Sequence, residues 1–318
     1  MTTTQAPRRS CLTVPGSSER FLAKAAGLAA DEVILDLEDA VAPAAKDQAR
    51  TLVAAAAAAS DGWAAPQRAV RINAVTTPWA YRDVIEVVER AGRGISSIVL
   101  PKVSSPDHVI WLDLLLRQLE QASGLPEGRI GIEAQIEDAA GLVAIDAIAT
   151  ASRRLAALIF GPADFMASLG MRSLTIGVPP ERYAGGDAFH YAHLRILVAA
   201  RAAGLQAIDG PYATIGDTEG LTRSAQSVAA LGFDGKWVVH PDQIPIVNQA
   251  FAPDQASYDR AEAILDAYAD ATAVRQRGAV RLDGEMIDEA TAKLAAAAAA
   301  RGRAAGLRRS GLPASTEV

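Results

Sequence analysis

Eight short runs rich in Val, Ile and Leu recur along this chain, with longer amphipathic or alanine-rich stretches between them. This alternation restricts the fold more than any other feature of the sequence. The runs are Cys11–Val14, Glu32–Leu37, Ala69–Ile72, Ser97–Leu100, Ile130–Ile136, Leu155–Phe160, Gln206–Asp209 and Lys236–Val239. Strands separated by helices imply βαβ units and a parallel sheet. Eight such units in roughly 250 residues is the size of a (β/α)8 barrel, so an α/β TIM barrel is the expected fold class. The rival is an open doubly wound sheet, which usually has fewer strands and often an early glycine-rich phosphate turn. No G-x-G-x-x-G follows the first run.

Two stretches break the repeat. Between Phe160 and Gln206 there is room for one helix plus about twenty further residues, and loops of that length are often functional lids. The excess is Met171–Asp187, with Gly177, Pro179, Pro180, Gly185 and Gly186, at the mouth where strand 6 ends. After Phe251 the pattern becomes helical: Asp259–Val274 puts Ala261, Ile264, Leu265, Tyr268 and Ala271 on one face. The segment Val280–Asp288 and another alanine-rich helix follow, and the tail Arg301–Val318 is expected to fray. The expected domains are therefore a catalytic barrel over 1–250 and a C-terminal helical extension over 251–318.

Bulk properties exclude several classes. Half of the 318 residues are apolar, enough for a sizeable core, and the net charge is 31 − 37 = −6 without a basic block. That argues against a nucleic-acid surface and leaves any anionic ligand to local Arg or Lys. Cys11 is the sole cysteine, so neither an internal disulfide nor a cysteine-built zinc site is possible. Met1–Ser10 has no apolar h-region. No run reaches the roughly 18 apolar residues of a membrane span, and the alanine tracts at 54–59 and 295–300 read as helix. A soluble, cytoplasmic protein with no membrane association is expected.

In such barrels the site is built from the loops after each strand. Strand 2 brings Asp36, Glu38 and Asp39 to that mouth, strand 3 Arg71 and Asn73, and strand 4 Lys102. Strand 5 brings Glu137, strand 6 Asp164, strand 7 Asp209 and strand 8 His240. Acids at the ends of buried strands are costly to desolvate unless something binds them. Glu137 and Asp164, from neighbouring strands, suit Mg²⁺, which takes one or two carboxylates with waters and substrate oxygens. The alternative is that they cap the following helices. Glu133 is a rival to Glu137 but lies deeper on the same strand. Arg71 needs an anion, either Glu38 or Asp39 as a structural pair or a substrate carboxylate. Lys102 is a surface lysine or a ligand-binding one, and His240 a cap, a core residue or a catalyst. His190 and His193 lie three apart on a helix, but no third zinc ligand is apparent.

The motifs Val14-Pro-Gly-Ser-Ser-Glu-Arg-Phe21, Leu35-Asp-Leu-Glu-Asp-Ala-Val41, Val70-Arg-Ile-Asn73, Leu100-Pro-Lys-Val103, Ile136-Glu-Asp-Ala-Ala-Gly141, Phe160-Gly-Pro-Ala-Asp164, Gly235-Lys-Trp-Val-Val-His-Pro241 and Gly284-Glu-Met-Ile-Asp288 occur in this order. As an ordered set they resemble the citrate lyase β-subunit-like proteins of the HpcH/HpaI aldolase superfamily, over about residues 9–300. The resemblance implies a TIM-barrel carbon–carbon lyase acting on CoA thioesters with Mg²⁺, for which Mn²⁺ is a possible substitute. It makes Glu137 and Asp164 metal ligands and Arg71 the clamp of the substrate carboxylate. Asp288 becomes the catalytic acid carried by a neighbouring subunit's C-terminal segment, and Arg20 and Lys24 CoA-binding residues. Asp36 and Glu38 join the catalytic set, and Lys102 the substrate-binding one. The resemblance also implies a homotrimer or a dimer of trimers.

The long segment after strand 6 and the run Ile208-Asp-Gly-Pro-Tyr212 look more like malyl-CoA and β-methylmalyl-CoA lyases than citrate lyase subunits. One departure is Asp138-Ala-Ala-Gly141, where many members carry Thr-Ala-Glu-Gly or similar. The expected reaction is reversible cleavage of malyl-CoA or β-methylmalyl-CoA to glyoxylate plus acetyl-CoA or propionyl-CoA. The rivals are a citryl-CoA or citramalyl-CoA lyase, a CoA-free pyruvate aldolase, and a non-catalytic binding protein on the same fold.

Overall fold

The structure is a computed structural model that describes residues 6–59, 62–178, 180, 183–273 and 278–310. Strands and helices alternate from the start: β1 (Ser10–Pro15), α1 (Glu19–Ala26), β2 (Glu32–Asp36), α2 (Lys46–Ala58), β3 (Gln67–Arg71), α3 (Ala80–Ala91), β4 (Ser97–Leu100), α4 (Pro106–Ala122) and β5 (Gly131–Ile136). The series continues through two short helices, α5 (Ala139–Val143) and α6 (Ile145–Ala149), then β6 (Leu155–Phe160), α7 (Pro162–Ser168), α8 (His190–Ala203), β7 (Gln206–Asp209), α9 (Thr218–Leu231), β8 (Gly235–Val238) and α10 (Gln243–Ala250). All eight strands pair in parallel with their sequence neighbours, and β1 pairs with β8, so the sheet closes into a TIM barrel. Every residue of β2 and of β4 is buried, as expected of strands covered on both faces.

The period of two divides the barrel interior into layers. Cys11, Ile34, Ala69, Val99, Ala157, Ile159, Ile208 and Trp237 form an apolar plug at mid-height. Two residues before and after Ile34 and Ala69, the side chains turn polar: Glu32 and Asp36 on β2, Gln67 and Arg71 on β3. Below the plug lie Glu32, Ser97, Glu133 and Gln206, and above it lie Asp36, Arg71 and Gln135. The lower layer is joined by Arg8, whose Nε donates to Glu32 Oε1 at 3.0 Å and whose Nη2 lies 3.4 Å from Glu133 Oε1. Helix starts are fixed by side chains. Ser18 caps α1, Ser105 caps α4 and Asp138 caps α5, each worth about 1 kcal/mol.

The chain divides into two compact units, residues up to Asn248 and residues from Gln249. The second holds α11 (Gln255–Ala273), an antiparallel hairpin of β9 (Val280–Leu282) and β10 (Glu285–Ile287), and α12 (Glu289–Ala304). Asp283 and Gly284 make the hairpin turn, both with positive φ (48° and 89°), the conformation an Asp-Gly pair favours. The tail is not frayed from Arg301 as expected. The helix runs on to Ala304, Gly302 lies flat against the Tyr258 ring, and Arg303 and Arg309 pair with Glu262 and Asp266 of α11. Val274 and residues 311–318 lie outside the described residues.

Candidate active site

Asp36 and Arg71 face each other across the β2–β3 register at the top of the barrel. Arg71 donates from Nε and Nη2 to the two oxygens of Asp36, both at 2.7 Å, in a bidentate pair. Asp36 also accepts the N–H groups of Glu38 (2.9 Å) and Ala40 (3.1 Å), so its carboxylate is fully engaged. The sequence leaves Arg71 either Glu38 or Asp39 as a structural pair, or a substrate carboxylate. The closest is Asp36, with Glu38 at 3.2 Å and Asp39 at 3.9 Å from Nη1. Asp36 therefore holds the Arg71 guanidinium in place. The guanidinium lies 5.2 Å over the Trp237 ring. Burial opposes its charge, but Asp36, Glu38 and Asp39 outweigh that and hold its pKa above the ordinary arginine value.

Lys102 joins the other acids. Its backbone N–H donates to Glu137 Oε1 at 2.6 Å. Its ammonium bonds Glu38 and lies 3.4 Å from Asp39 and 3.3 Å from Asp164. Burial pushes the Glu137 carboxyl up to about 8, and the nearby charges of Asp164 and Glu38 push the same way. Glu38 is also raised by burial, against the pull of Arg71 and Lys102. The helix-cap reading does not fit Glu137: Asp138 caps α5, while Glu137 takes the Lys102 amide on one oxygen and the Gln135 side-chain amide on the other, at 2.7 Å. Among the described residues no three His, Cys, Asp or Glu side chains form a metal cage. Two mutually repelling carboxylates, one of them buried, fit Mg²⁺, which seldom takes an all-protein cage.

The other predicted residues have surroundings of their own. Arg20 and Lys24 are exposed on α1, one helical turn apart, close after the mouth end of β1. Lys24 lines a cavity of about 250 Å³ with Val14, Phe21, Leu28 and His240. His240 is half-exposed, with Asp242 at 3.5 Å. Asp288 belongs to the second unit, where it caps α12 by accepting the Thr291 N–H at 2.9 Å. Asp209, expected at the mouth, instead faces the helix layer, bonded to Lys236 Nζ (2.5 Å) and His193 Nε2 (3.1 Å). Glu133 sits in the lower layer, accepting from Ser97 Oγ at 2.6 Å, so it is no rival to Glu137.

The HpcH/HpaI aldolase/citrate lyase family model matches residues 9–241. The chain belongs to this family. An L-malyl-CoA/β-methylmalyl-CoA lyase of Cereibacter sphaeroides is 38% identical over 297 residues, covering 91% of this chain and 92% of the relative. The citrate lyase subunit beta of Leuconostoc mesenteroides subsp. cremoris is 35% identical over 281 residues, 88% of each chain. Among solved structures, the CitE protein of Mycobacterium tuberculosis, crystallised with magnesium, acetoacetate and coenzyme A, superposes with a TM-score of 0.70 at 32% identity, covering 95% of this chain and 99% of that one. As a family member the chain is a carbon–carbon lyase of the oxo-acid lyase type. Among the described residues, no helix is long and apolar enough to cross a membrane.

Sequence reasoning missed three supports of this lyase's site. Gln135 holds Glu137 through its amide nitrogen. Lys46 donates to the Leu37 and Glu38 carbonyls, both at 2.8 Å, and fixes the β2 loop. Gly161 lies so close that a Cβ there would stand 2.5 Å from the Cβ and Oε2 of Glu137. Gln135 had a readable signal, since it shares the inward face of β5 with Glu133 and Glu137. The other two depend on contacts between loops and carried none.

Proposed function

We propose that this lyase reversibly cleaves malyl-CoA or β-methylmalyl-CoA to glyoxylate and acetyl-CoA or propionyl-CoA. The observation that carries the reading is the convergence of Arg71, Glu38, Lys102, Glu137 and Asp164 on one barrel mouth. The name of the Cereibacter sphaeroides relative supports the substrate class. Glu137 and Asp164 would hold Mg²⁺, which when bound supplies Lewis-acid polarisation of the keto-acid oxygens. The bound magnesium, acetoacetate and coenzyme A of the Mycobacterium tuberculosis neighbour support that assignment.

The chain's own groups do the rest. The outer edge of the Arg71 fork, free of Asp36, clamps the substrate carboxylate. Glu38, raised by burial, takes the proton of the substrate hydroxyl. The bond between the carbinol carbon and the carbon next to the thioester then breaks, leaving glyoxylate and a thioester enolate. Asp288 of a neighbouring subunit gives a proton to the enolate carbon, completing acetyl-CoA, and takes it back in condensation. That role requires a homotrimer or a dimer of trimers in which residues from Gln249 onward act as a lid across subunits. Arg20, Lys24 and the cavity beside them receive the phosphates and the carrier arm of CoA. In the loop 171–187, Leu174, Ile176 and Tyr183 are exposed, which suits a lid; Pro179, Glu181 and Arg182 of this loop lie outside the described residues.

A second reading, citryl-CoA or citramalyl-CoA cleavage, is favoured by the 35% identity to citrate lyase beta. It uses the same groups with a larger keto acid. A panel of malyl-CoA, β-methylmalyl-CoA, citramalyl-CoA and citryl-CoA, each with Mg²⁺, separates the two. Glyoxylate as the released acid supports the first reading; release of pyruvate or oxaloacetate alone replaces it with the second.

A further inference from the structure

We propose that Lys102 sets how readily the mouth accepts a divalent cation: its ammonium competes for Asp164, so that cation and anionic keto acid are taken up together. The proposal rests on the reading of Glu137 and Asp164 as the cation's carboxylates. Among the described residues, Lys102 is the one bonded or paired with both. Its amide donates to Glu137 at 2.6 Å and its Nζ lies 3.3 Å from Asp164 Oδ2. Among the described residues, it is the cation paired with Asp164.

The backbone supports a built role. Lys102 has φ +52°, one of two non-glycine residues with positive φ among those described. An L side chain there costs on the order of 1 kcal/mol or more, and such strain persists where surroundings over-determine it. Here the surroundings are acids from three different strand ends: Glu38 and Asp39 after β2, Glu137 after β5 and Asp164 after β6. Five carboxylates (Asp36, Glu38, Asp39, Glu137 and Asp164) converge on the mouth, and Arg71 is committed chiefly to Asp36.

A divalent ion on Asp164 meets the Lys102 ammonium as a like charge, which weakens binding of the ion alone. The carboxylate of a keto acid adds negative charge and offsets the repulsion. The half-exposed side chain can shift toward Glu38 and Asp39 without leaving the cluster.

Calorimetric titration of Mg²⁺ into the intact protein without keto acid tests this. Lys102→Met removes the ammonium and keeps the amide, and is expected to bind Mg²⁺ roughly fivefold tighter than wild type, the scale of one part-exposed charge pair. Lys102→Gly, which also relieves the positive φ, should tighten binding similarly, and Lys102→Arg should match wild type. Glyoxylate should strengthen Mg²⁺ binding to wild type far more than to Lys102→Met. Unchanged or weaker Mg²⁺ binding in both uncharged variants overturns the proposal and makes Lys102 a scaffold. Absence of Mg²⁺ binding to wild type even with glyoxylate overturns instead the assignment of Glu137 and Asp164, and the proposal with it.

Discussion

Gly161→Ala is a steric probe of the Glu137 carboxylate. Gly161 has φ −106°, open to any residue, so the substitution brings no penalty for a left-handed backbone. Its effect is contact. A Cβ would stand 2.5 Å from both Cβ and Oε2 of Glu137, and 2.9 Å from Gln135 Nε2. Ordinary contact begins near 3.4 Å, so something must give by 3.4 − 2.5 = 0.9 Å. The carboxylate oxygen could swing, but the Cβ of Glu137 moves only with the end of β5. Overpacking of this kind costs about 1–3 kcal/mol of stability. A displacement of about 1 Å at a catalytic group costs on the order of 10²-fold in rate. Thermal unfolding and kcat at saturating Mg²⁺ measure the two effects. A variant that loses stability but turns over like wild type would refute the reasoning, because the carboxylate position would then not matter to the chemistry.

Three further outcomes are expected. Asp36→Asn leaves a buried arginine short of its counter-ion and should cost roughly 3–5 kcal/mol in denaturant unfolding, with a raised KM; a change well below that would mean Glu38 takes over the pairing. Glu32, in the lower layer, is pushed up to about 8 by burial and by Glu133, from an ordinary value of 4.5. The folded state thus keeps a proton that the unfolded chain releases, and this contribution is full below pH 4.5 and lost as pH rises toward 8. Glu32→Gln should flatten stability against pH over that window, and an unchanged slope in unfolding midpoints would reject it. Asp288→Asn should lose about two to four decades in kcat. Mixed with inactive Glu137→Gln protein and reassembled, it should recover part of the activity; no recovery would argue against a shared site.

The barrel was legible because its strands are largely buried on both faces and read as short, mostly apolar runs at regular intervals. Individual strands matched to within a residue or two, as with Gln206–Asp209 and Leu155–Phe160. What the sequence concealed follows from the period of two. Asp209 ends its strand as Asp36 does, yet its neighbour Ile208 faces the plug, so Asp209 turns outward to Lys236 and His193. The partner of Arg71 depended on the β2–β3 register, which sets Asp36 and not Glu38 opposite it. Glu133 against Glu137 was decided by depth, and depth is readable by counting residues along one strand. The left-handed turn at Lys102 had no signal, since Pro-Lys is not a turn that demands positive φ. Arg8 escaped notice because it precedes the first strand, where sequence offers no reason to expect burial.

The most direct test of the account is Mg²⁺-dependent carbon–carbon cleavage by wild type and by Glu137→Gln. Malyl-CoA is offered with Mg²⁺ or with a chelator, glyoxylate is trapped as its hydrazone, and acetyl-CoA is measured in parallel. Wild type should release the two products in equal amounts only with Mg²⁺, and Glu137→Gln should release neither. Cleavage that persists with the chelator, or in Glu137→Gln at the wild-type rate, would contradict the account, as would a failure to cleave all four of malyl-CoA, β-methylmalyl-CoA, citramalyl-CoA and citryl-CoA.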